Sequence, residues 1–106
     1  MGHMVIAIFR PKPGLDAELL AVTRDHLPVL RGEGLVTDRA SLVLRAQDGS
    51  LLEIFEWRSE GAVDAAHSNP RVQALWKRYE ACCDYITLAD LPEAKGMFPH
   101  FEHVPL

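Results

Sequence analysis

The chain opens on an unbroken apolar run, Val5-Ile6-Ala7-Ile8-Phe9, stopped by Arg10-Pro11-Lys12-Pro13-Gly14. An apolar run ending in such breakers predicts a strand. From Leu15 the period becomes helical. Leu15, Leu19, Val22 and His26 share one stripe, and Leu20, Thr23, Leu27 and Leu30 share the next, so a helix is predicted from about Leu15 to Leu30. Pro28 removes one helical hydrogen bond, which predicts a kink or a loose last turn, and Gly32 and Gly34 end the helix. Ala40 to Ala46 reads as a second strand. Gln47-Asp48-Gly49-Ser50 is a tight turn, with Asp-Gly the favoured pair for a two-residue hairpin loop. Leu51 to Trp57 is the third strand. Ser59 and Glu60 begin a helix to about Ser68. Asn69-Pro70 breaks it, and Pro70 starts a further helix to about Cys83. Val72, Leu75, Trp76 and Tyr79 form its apolar face. Tyr85 to Leu88 is predicted as the fourth strand, Leu91 to Gly96 as a loop, and Phe98 to Val104 as an extended tail.

The order β-α-β-β-α-β is the ferredoxin-like plan, an α+β class with an antiparallel sheet. Helices cover one face of such a sheet, and the other face should then be polar. Here it is not. Val5 to Phe9 is apolar on both faces, as is Leu42-Val43-Leu44. In the third strand Leu52 and Ile54 occupy one face while Leu51, Phe55 and Trp57 occupy the other. The simplest cover for the second face is another copy of the sheet, so a homodimer with facing sheets is expected. The tail from Phe98 to Val104 would reach across to the partner.

Met1-Gly2-His3 reads as an expression scar, which leaves one domain over 4–106. A length of 106 residues suits a single domain. The formal charge of −4 and the absence of any basic run argue against nucleic acid and anionic membrane as partners. No apolar stretch is long enough to span a bilayer, and no signal peptide is visible, so a cytoplasmic protein is expected. The only cysteines, Cys82 and Cys83, are adjacent. That spacing suits neither an ordinary disulfide staple nor a zinc site. They read as buried free thiols, with a reactive vicinal pair as the alternative.

Pro13-Gly14 after the first strand, the Asp48-Gly49 hairpin, Phe55-Glu56-Trp57, Ser59-Glu60-Gly61-Ala62 and His67 together resemble the antibiotic-biosynthesis-monooxygenase-like family. The resemblance runs from Val5 to about Leu88. It implies a dimeric α/β barrel, and relatives that include cofactor-free oxygenases of anthrones and quinols, haem-degrading enzymes and isomerases. The oxygenase and haem-degrading members are typified by an Asn near the first strand. This chain has none there, since its one Asn is Asn69.

The resemblance implies that His67 faces a cavity between helices and sheet. There an imidazole could take a proton from a phenol or enol, leaving an anion that reacts with oxygen without metal or flavin. The alternative is a His67 that caps its helix end by bonding a free carbonyl. His26, on the apolar stripe of the first helix, points inward. It is either a second polar group of the same cavity or a core histidine bonded to a carbonyl or to Thr23. Trp57, Trp76 and Tyr79 are core residues that would also wall a pocket for a flat aromatic compound. Glu53 and Glu56 lie on opposite faces of their strand, and Arg45 is the expected partner of whichever is buried. His100 and His103 point to opposite faces of an extended tail, which argues against a shared metal. The reading is a cofactor-independent monooxygenase-like enzyme with His67 as base, His26 as second polar group, and no cofactor or metal. An isomerase using the same pocket, or a non-enzymatic dimer that binds small molecules or serves in stress, is the alternative.

Overall fold

The computed structural model describes residues 2–106. The first apolar run forms β1, His3–Pro11, which extends two residues ahead of Val5 and pairs His3 with Trp57. Helix α1, Asp16–Gly32, continues through Pro28 for one further turn. Strand β2 is Leu42–Arg45 and β3 is Leu51–Trp57. Their connection is longer than the expected two residues. Ala46 and Ser50 close it around Gln47, Asp48 and Gly49, and Gly49 takes a φ of 88° that a side chain would resist. Ser59 caps α2, Glu60–His67, by accepting from Ala62 N–H at 3.2 Å. Asn69 caps α3, Pro70–Cys82, by accepting from Arg71 and Val72 N–H, with Pro70 in the first turn as its fixed φ favours.

The fourth strand falls two to three residues earlier than expected. Strand β4 is Cys83–Tyr85, and the chain then leaves the sheet edge. Two short 3₁₀ helices, Leu88–Asp90 and Pro92–Lys95, replace the expected strand end and loop, and β5 is Glu102–His103. The cause is apolar anchoring. Leu91 is buried against Ile8, Ala46 and Leu52, and Ile86 and Phe101 pack beside them. The tail therefore folds back on its own sheet, where β5 pairs with β2, and does not reach away from it. The sheet is antiparallel throughout, ordered β4-β1-β3-β2-β5, and the fold is α+β.

The strand register sorts the two faces. Val5, Ala7 and Phe9 of β1 lie opposite Phe55, Glu53 and Leu51 of β3, and this face meets the helices. Leu19, Val22, Leu75 and Tyr79 fill the space over Phe9, Val43 and Leu51. Leu27, Leu30, Val72 and Ala66 fill it over Phe55 and Trp57. On the outer face the chain's own C-terminal segment covers Ile8 and Leu52. It leaves Met4 53%, Ile6 46% and Leu42 45% exposed. No helix is long and apolar enough to cross a membrane among the described residues.

The hairpin tip is tied to β1. Arg10 donates twice to Asp48 Oδ2, at 3.2 and 3.0 Å, and Ser50 N–H donates to Asp48 Oδ1 at 2.9 Å. Partial burial alone would raise the Asp48 pKa, but the Ser50 hydrogen bonds and the Arg10 guanidinium outweigh it and hold the carboxyl below its ordinary value. A depressed folded pKa means stability that is complete above the ordinary aspartate value and lost as pH falls through the folded one. Asp48→Asn is therefore expected to cost about 1 kcal/mol at neutral pH. Urea unfolding at neutral pH and well below the ordinary aspartate pKa of 3.8 should show that difference shrink in acid.

Both cysteines are free and buried. Burial first, and then the neighbouring Cys82 sulfur, push the Cys83 thiol up to about 12. Burial likewise raises Cys82. Neither supplies the accessible thiolate that a reactive pair needs.

Candidate active site

Helix α1 delivers His26 to the sheet. Leu19, Val22, Thr23, His26, Leu27 and Leu30 are its buried residues, so the helical stripe carries the imidazole into the core beside them. Directly below lies Glu53, the one charged residue on the inward face of β3, with no solvent exposure. His26 Nδ1 stands 2.5 Å from Glu53 Oε1. Phe55 and Tyr79 each set a ring edge-on to the imidazole, with centroids 5.4 and 5.3 Å away. The Tyr79 hydroxyl donates to Thr23 Oγ1 at 3.3 Å, and Thr23 donates to the Leu19 carbonyl at 2.8 Å. Burial, and then the charge of Glu53, raise the Tyr79 pKa well above that of an ordinary phenol, which keeps this hydroxyl protonated.

The pair has two loose ends. Glu53 Oε2 is buried and receives no hydrogen bond from the protein. His26 Nε2 makes no protein hydrogen bond either, but it is not sealed in. His26 lines a cavity of about 460 Å³ together with β1, Phe55, Trp57, His67, Trp76, Tyr79 and Tyr85. In a neutral imidazole whose Nδ1–H donates to Glu53, Nε2 carries the lone pair. This is the arrangement a general base requires: one nitrogen held by a carboxylate, the other free beside a binding space.

His67 stands differently. It is exposed, and its Nδ1–H donates to the Val63 carbonyl at 2.8 Å, which is the capping role open to it from sequence. Its ring also meets Trp76 edge-on, with centroids 5.1 Å apart, and the two lie along the same cavity. All five residues singled out from sequence, His26, His67, Trp57, Trp76 and Tyr79, line this one space. His26 is bonded neither to a carbonyl nor to Thr23; it is buried and has the Glu53 carboxylate at Nδ1, whereas His67 is exposed.

The expected partner of the buried glutamate is also corrected. Arg45 pairs at 3.0 Å with Glu102, directly opposite it on β5, and not with Glu53, whose cross-strand neighbour on β2 is Val43. Glu56, on the outer side, is bonded by Thr37 and Arg39, which lower its pKa in that order. The Glu53 role was accessible from strand parity: it shares the inward face with Leu51, Phe55 and Trp57. Glu80 and Tyr85 at the cavity carried no sequence signal. No group of three or more potential metal ligands occurs among the described residues.

No family model, no curated protein and no solved structure matches the chain, so its functional reading rests on this site.

Proposed function

We propose that the cavity is the active site of a small cofactor-independent enzyme, similar to the antibiotic-biosynthesis monooxygenases, that deprotonates a planar aromatic or polyketide-like compound. The observation that carries this reading is His26, fixed at Nδ1 by Glu53 with Nε2 open to an apolar space walled by aromatic rings. His26 Nε2 takes a proton from an acidic C–H or phenol, and the imidazolium formed is stabilised by the Glu53 carboxylate behind it. Trp57 and Trp76 hold the ring system. Tyr79 positions the His26 ring. His67 is a rim residue that meets substrate on entry.

The electron-rich carbanion then reacts with dioxygen. For an anthrone-type methylene, CH₂ plus O₂ gives C=O plus H₂O, with one oxygen atom in each product and no further reductant. Isomerisation would share the first proton transfer and return the proton to another carbon. Oxygen uptake by the purified protein with anthrones and hydroquinones, against a no-protein blank, tests the oxygenase outcome. Solvent deuterium exchange into the substrate tests the proton step alone. A folded protein that does neither would be a binding dimer without chemistry.

The sheet order β4-β1-β3-β2 with helices on one face supports a ferredoxin-like plan. The half-exposed outer-face residues Met4, Ile6 and Leu42 support a dimer of facing sheets, the barrel the resemblance implies. The protein should sediment as a dimer at micromolar concentration and Leu42→Lys as a monomer. A monomeric wild type would sink the facing-sheet arrangement.

A further inference from the structure

The lining of the His26 cavity changes character from floor to rim. His26, Phe9, Phe55 and Tyr79 form a buried floor. The rim belongs to exposed or half-buried side chains: His67, Trp76, Glu80 and Tyr85. Trp76 and Glu80 stand one turn apart on α3, so they share a face of that helix. Tyr85 lies opposite Phe9 where β4 pairs with β1, its ring edge-on to Phe9 with centroids 5.8 Å apart. The Glu80 charge reaches the Tyr85 hydroxyl. Burial first, then the Cys83 sulfur, then Glu80 push the Tyr85 pKa up to about 12. Two aromatic rings and one carboxylate therefore stand together at the rim.

The charges here are one-sided. Among the described residues neither Lys nor Arg lines the cavity, and Glu80 is the one acid that does. His26 and His67 are the only lining groups able to carry a positive charge. The arginines that form ion pairs, Arg10, Arg39, Arg45, Arg71 and Arg78, all pair with other acids. Lys12 Nζ donates to the Glu80 carbonyl at 3.0 Å and so sits against the helix backbone, without an ion pair to the carboxylate. Behind His26 the Glu53 carboxylate keeps Oε2 without a donor. An anionic ligand would face Glu80 with no permanent cation to receive it. A cation gains twice, from attraction to Glu80 and from the ring faces of Trp76 and Tyr85, whose quadrupoles draw positive charge.

We infer that the cavity takes a planar aromatic compound that carries a protonated amine. Its ring system lies on the buried floor, and its ammonium stays at the rim against Glu80, Trp76 and Tyr85. This deepens the substrate reading given above and rests on that reading's choice of the cavity as the binding site. The ammonium keeps part of its water, because Glu80 is exposed and Tyr85 is 56% exposed, so the contact avoids the desolvation cost of a buried ion pair. The gain is correspondingly modest. An exposed ion pair and an exposed cation–π contact together favour a cation over its neutral isostere by about 10-fold. That is enough to select among ligands that share one ring system.

The test uses three probes that share one ring system: 1-naphthylmethylamine, 1-naphthylmethanol and 1-naphthoate, titrated calorimetrically into the full chain at neutral pH. The indole N–H signals of the ¹⁵N-labelled protein locate the binding, since Trp57 and Trp76 are its only tryptophans and both line the cavity. The amine should move both signals and bind about 10-fold more tightly than the alcohol, with naphthoate the weakest of the three. Glu80→Gln should weaken the amine about 3- to 5-fold and leave the alcohol unchanged. Asp38 is an exposed acid outside the lining, so Asp38→Asn changes the net charge equally and should leave the amine's advantage intact. Equal affinity for amine and alcohol would overturn the inference. So would naphthoate binding as tightly as the amine, failure of the amine to bind, or amine binding that moves neither indole signal. An advantage that survives Glu80→Gln in full, or falls as far in Asp38→Asn, would also sink it. The outcomes separate from those of the proton step: amine preference without deuterium exchange or turnover leaves the ligand class and removes the chemistry, and turnover of uncharged compounds without amine preference does the reverse.

Discussion

Replacing Glu53 alone with Leu lowers stability by about 3–5 kcal/mol, the usual result of removing one partner from a buried hydrogen-bonded pair. The site explains the size. Glu53 has no solvent exposure and His26 is 4% exposed, so neither can turn to water when the other is lost. His26→Leu is expected to cost a similar amount, because Glu53 Oε1 then joins Oε2 without a donor. Such a loss takes a large share of the roughly 5–15 kcal/mol that a domain of this kind possesses. The double replacement His26→Leu, Glu53→Leu should be far less damaging than the sum, since two leucines fill the space between Phe55 and Tyr79 with no polar group to satisfy. Urea unfolding of the four proteins gives the coupling directly. Additive losses would mean that the two side chains do not depend on each other, and the paired site would be abandoned.

His26→Gln is the variant that separates chemistry from folding. Its side-chain amide can still donate to Glu53, so the fold should survive, yet it has no basic nitrogen to present to the cavity. Loss of a general base of this kind lowers turnover by about 10²–10⁴-fold. Oxygen uptake with anthrone, or deuterium exchange into it, should fall by that factor while the unfolding midpoint stays near that of the wild type. His67→Ala should change turnover much less, because His67 is exposed, bonds Val63 and has no carboxylate behind it. If His67→Ala abolishes turnover and His26→Gln does not, the assignment of the base reverses.

The two histidines illustrate how far the chain could be read without its fold. His26 was legible as inward-facing because a 3.6-residue stripe carries it there with Leu19 and Val22. Its partner was not, because Glu53 is 27 residues away and the pairing depends on how α1 lies over β3. The parity of β3 identifies the inward face, but the partner expected from sequence was Arg45 on the adjacent strand, which pairs with Glu102 instead. His67 was legible as a residue at a helix end, and the structure bonds it to Val63 and sets it on the cavity lining.

Local signals were enough for the elements whose causes are local. The apolar runs of β1 and β3, the stripes of α1 and α3, the cap at Ser59 and the Asn69-Pro70 junction each follow from neighbours within a few residues. The short β4 and the 3₁₀ segment folded over the outer face do not. Those depend on Leu91 finding Ile8 and Leu52 across the sheet, a contact between residues far apart in the chain. By itself the sequence determined where β1, β3 and the three helices form and which stripes of α1 and α3 are apolar, since periodicity and capping act over short range. The tertiary structure alone decided which nitrogen and which carboxylate meet, and where the C-terminal segment lies, because long-range packing sets register and chain path.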